Sequence, residues 1–286
     1  MISGSFKTIT STGLALIAFA ANSVLCRLAL GTHAIDASSF TVIRLVSGAV
    51  VLLIILIIKR RKYNTQSKGR WSAGTALFLY AVTFSFAYNT LDTGTGALVL
   101  FSAVQITMIA MSIVAKKRLH ISEWTGVFIA FAGFVYLVLP DAAAPSVTGL
   151  LLMTAAGTAW GIYTLKGQGS VSPLMDTAYN FMRTVPFVIV LAVVSLQNKH
   201  YSFDGVLLAV LSGGIASGIG YTIWYTALSG LSAVQAAVVQ LMVPVIAAFG
   251  GVIFMSETIT LRLAISSVIV LGGILLVILG RHYFVE

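Results

Sequence analysis

Charge is what this chain most lacks. Only 9% of its 286 residues are charged, against about 25% in a soluble domain. With hydrophobic residues at 58% and a mean hydropathy of +1.00, a water-soluble fold would have no surface to show. Cys26 is the single cysteine, which excludes an intrachain disulfide and a cysteine metal cluster. His33, His120, His200 and His282 all fall in loops or at helix ends, so no histidine is placed to serve a buried nucleophile. A P-loop, an H-E-x-x-H helix and a glycine-rich phosphate cradle after a strand are absent too. These gaps argue against an enzyme, a metal site or a cofactor. Asp36, Asp92, Glu123, Asp141, Asp176, Asp204, Glu257 and Glu286 all lie at or beyond predicted helix ends. No carboxylate is left mid-membrane, where a proton-coupled pump needs one.

What is present is long apolar runs. A spanning helix takes roughly 20 mostly apolar residues, and ten candidates fit, at about 11–30, 37–58, 71–90, 93–115, 122–139, 147–165, 174–196, 204–228, 232–254 and 260–280. They are too long and too evenly apolar for barrel strands, and hydrocarbon forces each backbone to satisfy itself. Ala18-Phe19-Ala20 resembles a signal-peptidase site, but the apolar run continues to Leu30, so an uncleaved first helix is expected. The net charge of +9 does not indicate nucleic acid, because the cations sit in short segments between spans. Twelve fall on the side of the termini: Lys7, Lys59, Arg60, Arg61, Lys62, Lys68, Arg70, Lys116, Lys117, Arg118, Lys166 and Arg281. Three fall on the other: Arg27, Lys199 and Arg262. The positive-inside rule puts both termini in the cytoplasm. Trp71, Trp124, Tyr201 and Tyr283 at predicted helix ends read as interfacial anchors.

The chain also repeats itself. A shift of 137 positions lays Tyr88-Asn89-Thr90-Leu91 on Tyr225-Thr226-Ala227-Leu228 and Ile109-Ala110 on Ile246-Ala247. A shift of 140 lays Ile129, Gly133 and Leu139 on Ile269, Gly273 and Leu279. Upstream, Phe40-Thr41-Val42-Ile43-Arg44 aligns with Tyr179-Asn180-Phe181-Met182-Arg183. Five spans per copy is an odd number, so the second copy enters the membrane from the opposite face. The expected fold is an all-α membrane protein: ten transmembrane helices as two inverted five-helix repeats, 11–140 and 147–280, around a central cavity in one integral membrane domain. Such repeats point to a transporter.

The pattern resembles the drug/metabolite transporter superfamily in its EamA-type branch. Trp160-Gly161 midway in the sixth span, Arg44 and Arg183 in the second span of each half, and Ser256-Glu257 before Thr258-Ile259-Thr260-Leu261 carry the resemblance. Two positions depart from it: Ala20-Ala21 stands where Trp-Gly is expected, and Lys117 where the second copy has Glu257. The resemblance implies export of small metabolites across the bacterial inner membrane, and it is strongest to exporters of amino acids, aromatic ones included. Multidrug or quaternary-amine export stays open, with a channel or an intramembrane enzyme as the readings from other classes.

Mid-span polar and aromatic residues must find a partner or face water. They nominate the cavity: Asn22 and Ser23 in the first span, Tyr80, Phe84 and Tyr88 on one face of the third, and Phe101 and Gln105 in the fourth. The second half supplies Trp160, Tyr163, Tyr221, Trp224, Tyr225 and Gln240. The competing reading is interhelical bonding and core packing. Aromatic walls with amides suit a zwitterion with an apolar side chain, and ring faces can hold an ammonium. Pro244 and Gly218, with neighbouring glycines, are candidate gating positions. Arg44 and Arg183 are read as snorkelling to the nearer interface or pairing with a backbone carbonyl. Carboxylate binding is the functional alternative for both, and neither is placed in the site. Glycines in the fifth and tenth spans favour packing within a monomer. The expected partners are a small-molecule substrate and the lipid bilayer.

Overall fold

The computed structural model describes residues 2–59, 68–114, 121–138, 145–167, 170, 172–228, 230–231 and 239–284. Its helices are α1 (Ile2–Gly31), α2 (Ala37–Lys59), α3 (Trp71–Ala87), α4 (Thr93–Val114), α5 (Ile121–Val138), α6 (Val147–Gly167), α7 (Pro173–Val194), α8, α9 (Met242–Met255) and α10 (Leu261–Phe284). α8 is one span in three parts, α-helical over Phe203–Val210, π-helical over Leu211–Ile219 and α-helical again over Gly220–Leu228. The loop cations Arg60, Arg61, Lys62, Lys116, Lys117 and Arg118, and positions 232–238 of the expected ninth span, lie outside the described residues.

Among the described residues, five helical stretches are long and apolar enough to cross a bilayer by length and composition, including Ala37–Ile58 and Phe203–Ala227, and four shorter apolar helices accompany them. The outward surface supports the membrane assignment. Ile58, Phe128, Val194, Phe254 and Val268 are among many large apolar side chains left exposed, a coat suited to contact with lipid. Tyr80, Phe84, Trp160 and Tyr221, with the polar Asn22, Arg44 and Gln105, are buried inside.

The two halves are packed into each other rather than side by side. α3 and α4 pack on α6, as their second-half counterparts α8 and α9 pack on α1. α2 pairs with α7, α4 with α9, and α5 most extensively of all with α10. Exchanging the halves leaves this set of contacts unchanged. The loops give the relative sense. The α1–α2 loop is joined to the α7–α8 loop: Asp36 N–H donates to His200 O (2.8 Å), Ser202 N–H to Ala34 O (2.7 Å), and Ile35 and Tyr201 form an isolated antiparallel bridge. The α2–α3 loop is joined to the start of α7: Gly69 N–H donates to Asp176 Oδ1 (2.9 Å) and Arg70 N–H to Asn180 Oδ1 (3.0 Å). The α1–α2 and α2–α3 loops lie at opposite ends of α2. Each therefore meets the other half's non-equivalent loop, as an inverted repeat requires.

Close crossings fix the helix pairs. A Cβ added at Gly126 would lie 2.5 Å from the Gly273 carbonyl oxygen, so α5 and α10 touch backbone to backbone, as small residues permit in lipid. α2 and α8 meet in the same way at Gly48 and Gly213, where a side chain on Gly213 would run into the Arg44 carbonyl and Ser47 Oγ. That crossing falls in the π-helical stretch, a geometry that is rare and concentrated at functional sites. Gly218 belongs to the same stretch. Pro244 does not interrupt a described helix: α9 starts at Met242 with Leu241 as its N-cap, so the missing N–H falls in the first turn, where it costs no bond.

Candidate substrate cavity

Phe19, Asn22 and Ser23 share one face of α1, at i, i+3 and i+4, and open onto the junction of the halves. There a ring cluster assembles from five helices. Phe19 meets Phe101, Trp160, Tyr221 and Trp224 at centroid distances of 6.4, 6.1, 6.0 and 5.5 Å. Trp160 is its hub, 4.9 Å from Tyr80, 4.7 Å from Tyr221 and 5.3 Å from Tyr163. Tyr80 leans on Phe84 at 5.2 Å, and Phe84 meets Tyr88 edge-on at 4.8 Å. Most of these pairs are tilted or edge-to-face, the arrangements ring quadrupoles favour.

The cavity beside these rings is lined by Phe19, Asn22, Ser23, Tyr80, Phe84, Leu100, Phe101, Trp160 and Tyr221, and measures about 10 Å³. That is room for about one water molecule. The space is therefore contracted, too small as it stands for a metabolite.

Of the residues nominated from sequence, Asn22, Ser23, Tyr80, Phe84, Phe101, Trp160 and Tyr221 line this space. Tyr88 is buried beyond Phe84, its hydroxyl donating to Thr93 O at 3.4 Å. Tyr163 backs Trp160. Gln105 is buried with its Nε2 unpartnered, and Gln240 is buried at the break before α9. Tyr225 lies against Gly167 at the far end of α6. Trp224 meets Phe19 in the same cluster. Phe19, Ser212 and Ser217 are residues the sequence reading does not single out. The i, i+3, i+4 face shared with Asn22 and Ser23 carried the signal for Phe19. Ser212 Oγ donates to Asn22 Oδ1 across the halves (2.5 Å), and within the first half Asn22 Nδ2 donates to Tyr80 Oη (3.3 Å).

Arg44 departs most from the sequence reading. It neither snorkels nor caps a carbonyl. At 1% exposure, its Nη2 donates to Tyr80 Oη (3.0 Å) and Tyr221 Oη (3.4 Å), and its Nε to Ser217 Oγ (3.3 Å). Its guanidinium carbon stands 4.8 Å from the Phe84 ring centroid and 5.1 Å from that of Tyr80. The 137-position shift pairs Tyr80 with Ser217 and Phe84 with Tyr221, so both members of two equivalent pairs converge on one cation. Arg183, its partner in the alignment, does cap carbonyls: Nη1 donates to Lys68 O and, at 3.3 Å, to Tyr179 O, beside the Trp71 and Tyr179 rings. Distance from the helix end looked alike for the two. Side-chain direction, which sequence does not show, separates them.

A second polar group closes the face away from the termini. Arg27 Nε donates to Glu257 Oε1 (3.1 Å), Nη2 to Asp92 Oδ1 (3.2 Å) and Nη1 to Tyr88 O (3.2 Å). Glu257 Oε2 accepts from Thr93 N–H at 2.9 Å. Ser256 in left-handed backbone (φ 52°) turns the chain to place it. The Arg27 and Glu257 side chains are 17% and 12% exposed, Asp92 59%. The repeat shifts put Lys166 opposite Arg27 and Lys117 opposite Glu257, so sequence provides this lock on one face only.

The EamA-like transporter family model matches residues 7–139 and again 147–279, the two halves just described. The chain belongs to the EamA-like transporter family. The Pseudomonas aeruginosa protein PA1977 is 46% identical over 275 residues, covering 96% of each chain. An Archaeoglobus fulgidus protein named as an uncharacterized transporter is 27% identical, covering 82% of this chain and 86% of its own. The Bacillus subtilis transporter YoaV is 20% identical, covering 86% and 88%. A solved crystal structure superposes with a TM-score of 0.63 at 18% identity over 95% of this chain and 98% of its own, a likeness in fold alone. This EamA-like chain is thus a multi-pass membrane protein of a transporter family.

Proposed function

We propose that the chain exports small metabolites, amino acids and aromatic ones in particular, from the bacterial cytoplasm across the inner membrane by alternating access. The support is one observation: a ring-walled space with amide and hydroxyl groups, buried where two inverted halves meet. Rings from both halves line it, so a rocking motion of one half against the other changes its volume and its opening together. The face bearing the termini is taken as cytoplasmic from the cation count. The Arg27–Glu257 lock then closes the external side.

Transport runs without proton coupling in this reading. The described carboxylates Asp36, Asp92, Asp176, Asp204 and Glu257 stand at the two faces, and Glu257 is committed to Arg27 and Thr93. The test is counterflow in proteoliposomes across amino acids, quaternary amines and phosphorylated sugars, with and without a pH gradient. Saturable amino-acid counterflow indifferent to the gradient is expected. Trp160→Ala, Tyr80→Ala and Gln105→Ala should each lose most of it while still inserting. Normal flux in all three places the pathway elsewhere, and gradient-dependent flux rejects the uncoupled mechanism.

A further inference from the structure

Arg44 is a buried cation without a counter-ion. Among the described residues its guanidinium meets no carboxylate. Its three donated bonds go to neutral hydroxyls, and Nη1 is buried with no partner at all. A charge removed from water and left unneutralised is costly. Hydroxyls and ring faces recover part of that cost, yet the two N–H donors of Nη1 remain idle.

Resting on the transport reading above, we propose that Arg44 is the receptor for a substrate carboxylate, and that the substrates are apolar and aromatic carboxylates whose amino group is dispensable. In the contracted state the Tyr80, Tyr221 and Ser217 hydroxyls stand in for the carboxylate oxygens. Tyr80 and Tyr221 also wall the cavity, so opening it carries these stand-ins away and bares the fork of Arg44. A carboxylate fits that fork through two parallel bonds. The same surroundings offer nothing charged to an ammonium. The described acids are at the faces, and Asn22 Oδ1 already accepts from Ser212. A fixed cation beside the rings also repels a permanent cation, which sets this site apart from an aromatic cage for quaternary amines.

The experiment compares phenylalanine, phenylpropanoate, phenylpyruvate, phenylalaninamide and phenethylamine, by counterflow in proteoliposomes and by thermal shift of purified protein. Wild type should carry the three carboxylates within about tenfold of one another and should carry neither the amide nor the amine. Arg44→Gln should lose carboxylate counterflow at least tenfold and lose the carboxylate-induced rise in Tm, with Arg44→Lys intermediate. Ser217→Ala removes one stand-in without touching the cavity wall, and should lower the KM for phenylpropanoate about threefold. This keeps the proposal open to refutation if Arg44→Gln fails to fold. A KM that stays or rises in Ser217→Ala counts against it. Amine or amide carried as well as phenylalanine overturns it and leaves transport intact. Arg44-dependent thermal shifts by carboxylates without counterflow of any compound sustain the binding role and overturn transport. No shift and no counterflow overturns both.

Discussion

Glu257→Gln is expected to loosen the face away from the termini and to leave the fold standing. Glu257 is nearly buried and takes two bonds, one from the Arg27 guanidinium and one from the Thr93 amide. Through them the α9–α10 turn holds α1 and the start of α4 together. Glutamine keeps the shape and one acceptor oxygen, but its amide nitrogen is a donor facing another donor. The loss is about one charge-assisted hydrogen bond, roughly 1.5–3 kcal/mol. The Arg27–Asp92 pair is too exposed to replace it, being worth about 0–1 kcal/mol. At about 1.4 kcal/mol per factor of ten, the open population rises about ten- to a hundredfold. The chain carries its own reporter. Cys26, the residue before Arg27, is the single cysteine and is fully buried. Alkylation by a membrane-impermeant maleimide supplied from that face measures opening directly when closing outpaces reaction. Glu257→Gln should speed it ten- to a hundredfold and Asp92→Asn less than threefold, both with a Tm close to wild type. An unchanged rate in Glu257→Gln would show that this ion pair does not hold the face shut.

Gly213→Ala should lower Tm by several degrees, since its methyl group meets the Arg44 carbonyl and Ser47 across the α2–α8 crossing and overpacking of this kind costs about 1–3 kcal/mol. Gly272→Ala, with nothing within 4 Å, should be neutral, and thermal melts in detergent compare the two. Asp36 tests the loop junction by pH. Burial pushes its carboxyl up, but the Ser39 hydroxyl and the N–H groups of Ser39, His200 and Ser38 outweigh this and hold it below the usual carboxylate range. A depressed carboxyl stabilises the fold above its unfolded value, about 3.9, and stops doing so as pH falls through the folded one. Asp36→Asn should therefore lower Tm at neutral pH, with the gap to wild type closing in acid. A gap independent of pH would mean the charge is not what Asp36 contributes.

Sequence determined the class, the span count and the inverted duplication, because these follow from quantities summed over many residues: apolar length, charge between spans and a shared spacing of landmarks. It also placed Tyr80, Phe84, Trp160 and Tyr221 on helix faces that converge, since helical periodicity fixes which positions share a side. Tertiary structure decided what a lone side chain does. Arg44 and Arg183 occupy aligned positions, yet one turns inward to the hydroxyls of both halves and the other outward to carbonyls near the Trp71 ring. The ion pairs of Arg27 with Asp92 and Glu257 join residues separated by 65 and 230 positions, and the π-helical seat of α8 depends on the bare backbone of Gly213 meeting α2. Such contacts are set by side-chain direction and by which distant segments arrive beside each other, and no local pattern encodes either.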